Sequence, residues 1–267
     1  AASLGIPVKN GLALLPTEIG GEKLQWIILD DATDPTAASK NARKLVGEEG
    51  VDLLVGSNIT PNSLAVLEVA AESQTPAIPI AGASMLVTPM DAKRRWMFKV
   101  PQNESLMAKA IFEHMAKHGV KTAGYIGFND AYGESWWKEA QAAADATKIK
   151  LVISERYGKT DTSVTGQILK IQSANPDAVL IGGAGTPAAL PELALKQRGY
   201  AGKIYQTHGV ANNDFLRVGG KDLEGTLLPS GPILVLDQLP DSNPTKKQGR
   251  EFAAAHDAKF GAGSANG

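Results

Sequence analysis

Cysteine is absent from the 267 residues. That excludes thiolate catalysis and disulfide bonds, and it leaves the redox compartment open. Charge of one sign is also missing: 27 basic and 28 acidic residues leave a net charge of −1. Such a balance gives no electrostatic grip on nucleic acid or on an anionic membrane surface. No apolar run reaches the roughly 20 residues that cross a bilayer. No signal peptide is seen, so either none existed or it has been removed. Low-complexity segments and short-period repeats are missing. So are a Ser-His-Asp spacing, a nucleophile elbow and a phosphate loop ending in Gly-Lys-Ser/Thr. His114 and His118 are four apart, but the run H-M-A-K-H lacks the glutamate of the zinc hydrolase motif. What remains is 43% hydrophobic and 21% charged residues, the composition of a soluble globular protein with room for one large or two ordinary domains.

The chain is organised around residues 51–88. An apolar strand, Val51 to Val55, runs into a turn at Gly56-Ser57. Thr60 stands at the expected helix N-cap with Pro61 as the first helical residue, and Leu64, Leu67, Val69 and Ala70 face inward. A second strand, Ala77 to Ile80, ends in the small-residue turn Ala81-Gly82-Ala83-Ser84. Two strand ends with hydroxyls and free N–H groups thus open side by side, at the edge where parallel sheets hold ligands. A helix N-terminus there suits a carboxylate or phosphate. Taken singly, Thr60 as a cap and Ser84 as the close of a turn are ordinary. Their repetition in consecutive units points to a binding edge.

The flanking elements follow the same grammar. Ser3 caps a helix with Val8, Leu12, Leu15 and Ile19 on one face, ended by Gly20-Gly21. Leu24 to Leu29 reads as a strand, and Asp34-Pro35 opens a helix reaching Gly47 or Gly50. Residues 93–100, with Trp96 and Phe98, form a short bridge closed by Pro101. Beyond it, helices at 104–118, 133–147, 162–174, 187–198 and 213–218 lead to strands at 121–127, 150–155, 177–182, 203–207 and 225–230. An irregular stretch from Gly231 precedes a last helix, 244–260, and residues 261–267 trail off. The alternation predicts α/β architecture with right-handed crossovers and parallel sheets. The unit count splits near Pro101 into two doubly wound lobes. Both ends look cut, because the first helix lacks a strand before it and the last lacks one after.

Three further stretches carry candidate chemistry. Gly183 to Ala188 fits the G-x-G-x-x-G/A dinucleotide pattern, but no acid ends the next strand, which reads Y-Q-T-H-G-V. A tight turn or a thin pocket wall explains it equally. His208 sits just past a strand end on the same sheet edge, as a ligand contact or a loop histidine bonded to backbone. Tyr132 lies in F-N-D-A-Y-G-E, between a strand and a helix, at the opening edge of the second lobe. His256, in an Ala-rich helix, reads as surface, and His114 as a boundary residue.

At this point the chain resembles a known family. The carriers are L-D-D-A-T-D-P (29–35), V-G-S-N-I-T (55–60), A-G-A-S (81–84), F-N-D-A-Y-G-E (128–134), P-D-A-V-L-I-G-G (176–183) and E-G-T-L (224–227). In order and spacing they are similar to the type I periplasmic solute-binding proteins of ABC transporters, branched-chain amino acid-binding branch. The resemblance implies two lobes joined by three crossovers: lobe 1 over 1–100, lobe 2 over 101–231, and a return crossover with the start of a second lobe 1 segment over 232–267. The third crossover would lie beyond Gly267. It implies a ligand-binding set of Leu4, Ser57, Thr60, Gly82, Ala83, Ser84, Tyr132, Gly185, Thr186 and His208. Thr60, Ser84 and the Gly82 backbone would grip the ligand carboxylate, Tyr132 would face it from lobe 2, and the 183–186 loop would form a wall. Leu4 takes a wall position often aromatic in the family, and Gly185 leaves room where an aromatic can stand. His208 stands where the amino-acid binders place the acid that receives the ligand ammonium.

The resemblance therefore implies an extracytoplasmic, non-enzymatic capture protein, monomeric and without cofactor, that hands a small carboxylate ligand to an ABC transporter permease. The ligand would be an aromatic or 2-oxo acid, or a branched-chain amino acid. The rivals are an NAD-dependent α/β oxidoreductase resting on residues 183–188, and a ligand-sensing regulator on the same fold.

Overall fold

Short polar side chains open several helices by bonding their free N–H groups. Asp34 accepts from Ala37 N at 2.7 Å, and Asp130 from Tyr132 and Gly133. Asn212 and Asn243 do the same for Phe215 and Thr245. The computed structural model describes residues 2–266. Its elements run α1 (Ala2–Leu12), β1 (Glu18–Ile19), β2 (Glu22–Lys23), α2 (Pro35–Gly47), β3 (Leu54–Val55), α3 (Thr60–Ser73) and β4 (Ala77–Ile78). Then follow α4 (Glu104–Lys117), β5 (Thr122–Phe128), α5 (Ala131–Thr147), β6 (Lys150–Tyr157), α6 (Thr165–Ala174), β7 (Ala178–Gly182), α7 (Ala189–Gln197) and β8 (Lys203–Gln206). Helices α8 (Asn213–Gly219) and α9 (Pro244–Phe260) complete the chain.

Two parallel sheets with separate cores result. Strands β6-β5-β7-β8 form the larger one, with Ala123 opposite Ala178 and Ala178 opposite Lys203. The α4–α5 and α6–α7 pairs pack together, and Phe112, Met115, Trp136, Ile168, Ile171 and Leu195 fill the core they share with this sheet. The smaller sheet pairs β3 with β4, Leu54 opposite Ala77. Beneath it Leu67, Val69, Ala70 and Leu86 pack with Ala38 and Ala42 of α2. Every parallel strand ends toward the same kind of edge, so the loops after β3, β4, β5, β7 and β8 are the ones a ligand would meet.

The structure corrects several sequence expectations. α1 stops at Leu12, and Glu18–Ile19 pairs antiparallel with Glu22–Lys23. Gly20 and Gly21 both have positive φ, 63° and 88°, so they turn a two-residue hairpin rather than ending a helix. The helix already includes Ser3, so Ser3 is no cap, and Leu4 lies in its first turn. Leu24 to Leu29 joins no sheet among the described residues, and Trp26 and Ile28 remain exposed, because a strand needs a ladder partner to form. The expected strand at 225–230 is reduced to one bridge, Leu227 against Tyr205. His256 is buried, not on the surface: it lies between Phe252 and Phe260 and bonds Ser264 Oγ at 2.8 Å. The turn at Ser264–Asn266 folds back onto that edge of α9, which no helical periodicity announces. It also orders most of the tail expected to trail off; Gly267 lies outside the described residues.

Candidate functional site

The loop after β4 holds the site together from below. Lys99, on the segment that leaves the smaller sheet, donates to the carbonyls of Gly82 at 3.3 Å and Pro101 at 2.5 Å. Glu104 N donates to the same Gly82 carbonyl at 3.3 Å. From the other side, the loop after β8 presses His208 onto Gly82. A Cβ at Gly82 would lie 2.7 Å from both Cε1 and Nε2 of the imidazole. Glycine is therefore the residue that permits this approach, and the two sheets meet here.

Thr60 does not cap its helix. The N-cap is Ile59, Thr60 is the first helical residue, and its side chain makes no capping bond. The residue is fully buried, and Oγ1 has no hydrogen-bond partner in the structure. Ser84 opens a single 3₁₀ turn, and its Oγ is equally buried and unpartnered. A buried hydroxyl without a partner costs about 1–3 kcal/mol, so each of these two has a hydrogen bond left to give. His208 Nδ1 is a third such atom. Burial first, and the Lys99 cation second, push its imidazole down to about 4, so the ring is neutral at physiological pH.

The remaining sequence-predicted residues are placed as follows. Ser57 lies outside this group: its hydroxyl donates to Asp31 Oδ2 at 2.7 Å. It lines a separate groove of about 630 Å³ between α1, residues 28–33 and the β3 end. Ala83 is fully buried beneath the Gly82 turn. Tyr132 is buried, and its ring lies 6.4 Å from that of His208. Thr207 donates to the Gly183 carbonyl at 2.5 Å, so the Tyr132 O–H, 2.8 Å from Thr207 Oγ1, must be the donor of that pair. Its burial raises the phenol well above its ordinary value. Gly185, at φ 61° and ψ −162°, takes a conformation few other residues tolerate. A Cβ there would sit 3.1 Å from Ser3 Oγ, so this loop approaches α1, where Leu4 is half-buried in the first turn. Gly185 N–H is engaged by the Gly209 carbonyl at 2.8 Å, which removes it as a phosphate donor. Thr186 begins the 3₁₀ turn that follows.

Four residues not singled out from sequence belong to the same cluster. Lys99 is described above. Glu104 is fully buried at the start of α4, and Ser135 of α5 donates to its Oε2. Burial outweighs that bond and raises the carboxyl to about 8. Trp136, fully buried, places its ring 5.9 Å from His208. Its position four residues after Tyr132 on one helix face was the available signal. Lys99 and Glu104 had none, because each reads as an ordinary charge beside a proline or at a helix start.

This arrangement can grip an anion from the smaller sheet and offer neutral donors and aromatic surface from the larger one. A family model described as periplasmic binding protein matches residues 1–266. The chain belongs to this family. Within it, the similarity is to the branched-chain amino acid-binding, type I branch. Rp1789 of Rhodopseudomonas palustris strain CGA009 is 46% identical, with a TM-score of 0.94 over 98% of this chain and 72% of that one. The leucine-, isoleucine-, valine-, threonine- and alanine-binding protein of Pseudomonas aeruginosa is 23% identical over 78% of this chain and 56% of its own. A solute-binding protein of an ABC transporter from R. palustris BisB5, solved with 3,4-dihydroxybenzoic acid, is 19% identical with a TM-score of 0.79, over 97% of this chain and 69% of that one. The chain spans 56–63% of the length of the curated relatives it matches. No helix among the described residues is long and apolar enough to cross a membrane.

Proposed function

We propose that this protein captures a small carboxylic acid between two lobes outside the cytoplasm and delivers it to the permease of an ABC importer, without catalysis. In this reading residues 1–100 form lobe 1, 101–231 lobe 2, and 232–267 the return toward lobe 1. Thr60, Ser84 and the Gly82 loop anchor the carboxylate. The observation that carries the reading is His208, neutral and pressed against Gly82. Neutral imidazole serves an α-ammonium poorly but can donate to a carbonyl or hydroxyl oxygen. The charge balance agrees: with His208 and Glu104 both uncharged near pH 7, Lys99 is the cation of the cluster. The ligand class is therefore an aromatic or 2-oxo acid in preference to a branched-chain amino acid. The same fold holds 3,4-dihydroxybenzoic acid in one relative and bears the name of a leucine-binding protein in another.

Calorimetry against leucine, 4-methyl-2-oxopentanoate, benzoate, 4-hydroxybenzoate and phenylglyoxylate tests this. One or more acids lacking the amine should bind more tightly than leucine, and His208→Glu should weaken the acids while sparing leucine. Leucine binding above every such acid would overturn the reading of His208.

A further inference from the structure

Glu104 is the buried ionisable group of the cleft that the anchoring scheme leaves unused. Its Oε2 accepts from Ser135 Oγ. Its Oε1 is buried and makes no hydrogen bond of full geometry, while the Ser84 N–H lies close to the carboxyl and only partly offsets its burial. Its backbone N–H shares the Gly82 carbonyl with Lys99 Nζ, so it is built into the loop that carries Ser84 and meets His208.

A buried carboxylate with one free oxygen is strongly disfavoured, and the group holds a proton instead. Because Ser135 donates to Oε2, that proton belongs on Oε1. The result is an O–H donor with nothing to donate to. An ammonium group cannot accept it, whereas a carboxylate, carbonyl or hydroxyl oxygen can.

We propose that Glu104 is a specificity-determining residue of the cleft, which as a neutral carboxylic acid donates from Oε1 to an oxygen of the bound acid. The inference rests on the acid-binding reading above. It adds a proton requirement to it: once Glu104 ionises, donor becomes acceptor and the charge repels the ligand. The groups that face it are Lys99 from the connecting segment, Ser84 N–H from the β4 loop, Ser135, Glu139 and Tyr132 from α5, and Tyr125 from β5. His208 stands across Gly82. Tyr125 and Tyr132 are raised and stay protonated, and His208 titrates far below. Lys99, lowered by burial, is the remaining group that could weaken anion binding on the alkaline side.

The test is the dissociation constant of benzoate and of 4-methyl-2-oxopentanoate, measured by calorimetry on the full-length protein from pH 6 to pH 9. For the acid that binds, affinity should fall about tenfold between pH 7 and pH 9, the behaviour of one proton lost near 8. Binding at pH 8 should take up protons when compared in two buffers of different ionisation enthalpy. Glu104→Gln keeps a neutral donor and should bind with flat affinity across the range, which a merely structural role would not produce. If wild-type affinity is flat and no proton is taken up, Glu104 has no such role, and the acid-binding reading survives. If the slope persists in Glu104→Gln, Lys99 causes it and the proposal falls. Should that variant not fold, Lys99→Gln decides: a slope and proton uptake that persist without the lysine belong to Glu104, and their loss overturns the proposal. If neither acid binds at any pH, the acid-binding reading itself is wrong and this inference goes with it.

Discussion

His208 ties binding and stability to pH through one ring. Unfolded, it takes a proton near 6.5; folded, near 4. Across that window the unfolded chain holds more protons, so stability is fully present above pH 6.5 and declines as the pH falls toward 4, by about 3 kcal/mol. Glu104 acts oppositely. Its folded carboxyl keeps a proton up to about 8 and the unfolded one only to 4.5, so stability declines as pH rises through that interval. Melting temperatures at pH 5, 6.5 and 8 should show His208→Asn flattening the acid side and Glu104→Gln the alkaline side. The hydroxyl anchors make a separate prediction. Thr60→Ala and Ser84→Ala should each cost about 1.5–3 kcal/mol of acid binding, as loss of a charge-assisted hydrogen bond does. Calorimetry within a factor of two of wild type for both would place the anchor elsewhere. Thr60 and Ser84, each ordinary alone, drew notice in the sequence because hydroxyls recur at two consecutive strand ends, and His208 because it follows a third. Glu104 was invisible because acids are common at helix starts. Only the pairing with Ser135, 31 residues away, reveals its burial.

At the scale of elements, α5 is the one on which most of the larger sheet's contribution to the cluster depends. Asp130 caps it through two backbone N–H groups and also pairs with Lys159 at 2.5 Å. Asp130→Ala should cost about 1–2 kcal/mol and lower the melting temperature by about 2–8 °C in calorimetry. Since α5 carries Tyr132, Ser135 and Trp136, acid affinity should fall with it. Elements with such punctuation were legible: Asp34-Pro35 and Asn243-Pro244 start α2 and α9 where the sequence put them. The α1 region was not, because Leu15 and Ile19 continue the helical spacing by chance while Gly20-Gly21 imposes a hairpin. Strand 225–230 failed for a different reason: its pairing with β8 is confined to Leu227, and no single-strand pattern records the extent of a ladder.

For the whole molecule, alternation of strand and helix was enough to give parallel sheets, because crossover handedness and strand burial leave few alternatives. How the two sheets face each other was beyond reach, since it depends on Gly82 meeting His208 and Gly185 approaching Ser3, pairs more than a hundred residues apart. In the proposed function these contacts tighten around the ligand by hinge motion. Small-angle scattering of the full-length protein should show the radius of gyration shrink on saturation with a bound acid, and an unchanged radius would count against the hinge.

The loops after β7 and β8 are sewn to each other, by Gly185 N–H on the Gly209 carbonyl and by Thr207 Oγ1 on the Gly183 carbonyl. Neither can move without the other, whereas the Gly82 anchor is fastened separately by Lys99. New ligand preferences should therefore evolve, or be engineered, by paired changes at 184–186 and 208 that are non-additive with each other and additive with changes at Thr60. If the proposed function holds, libraries that vary 184 and 208 together should reach selectivities that neither position reaches alone, while still preferring carboxylates.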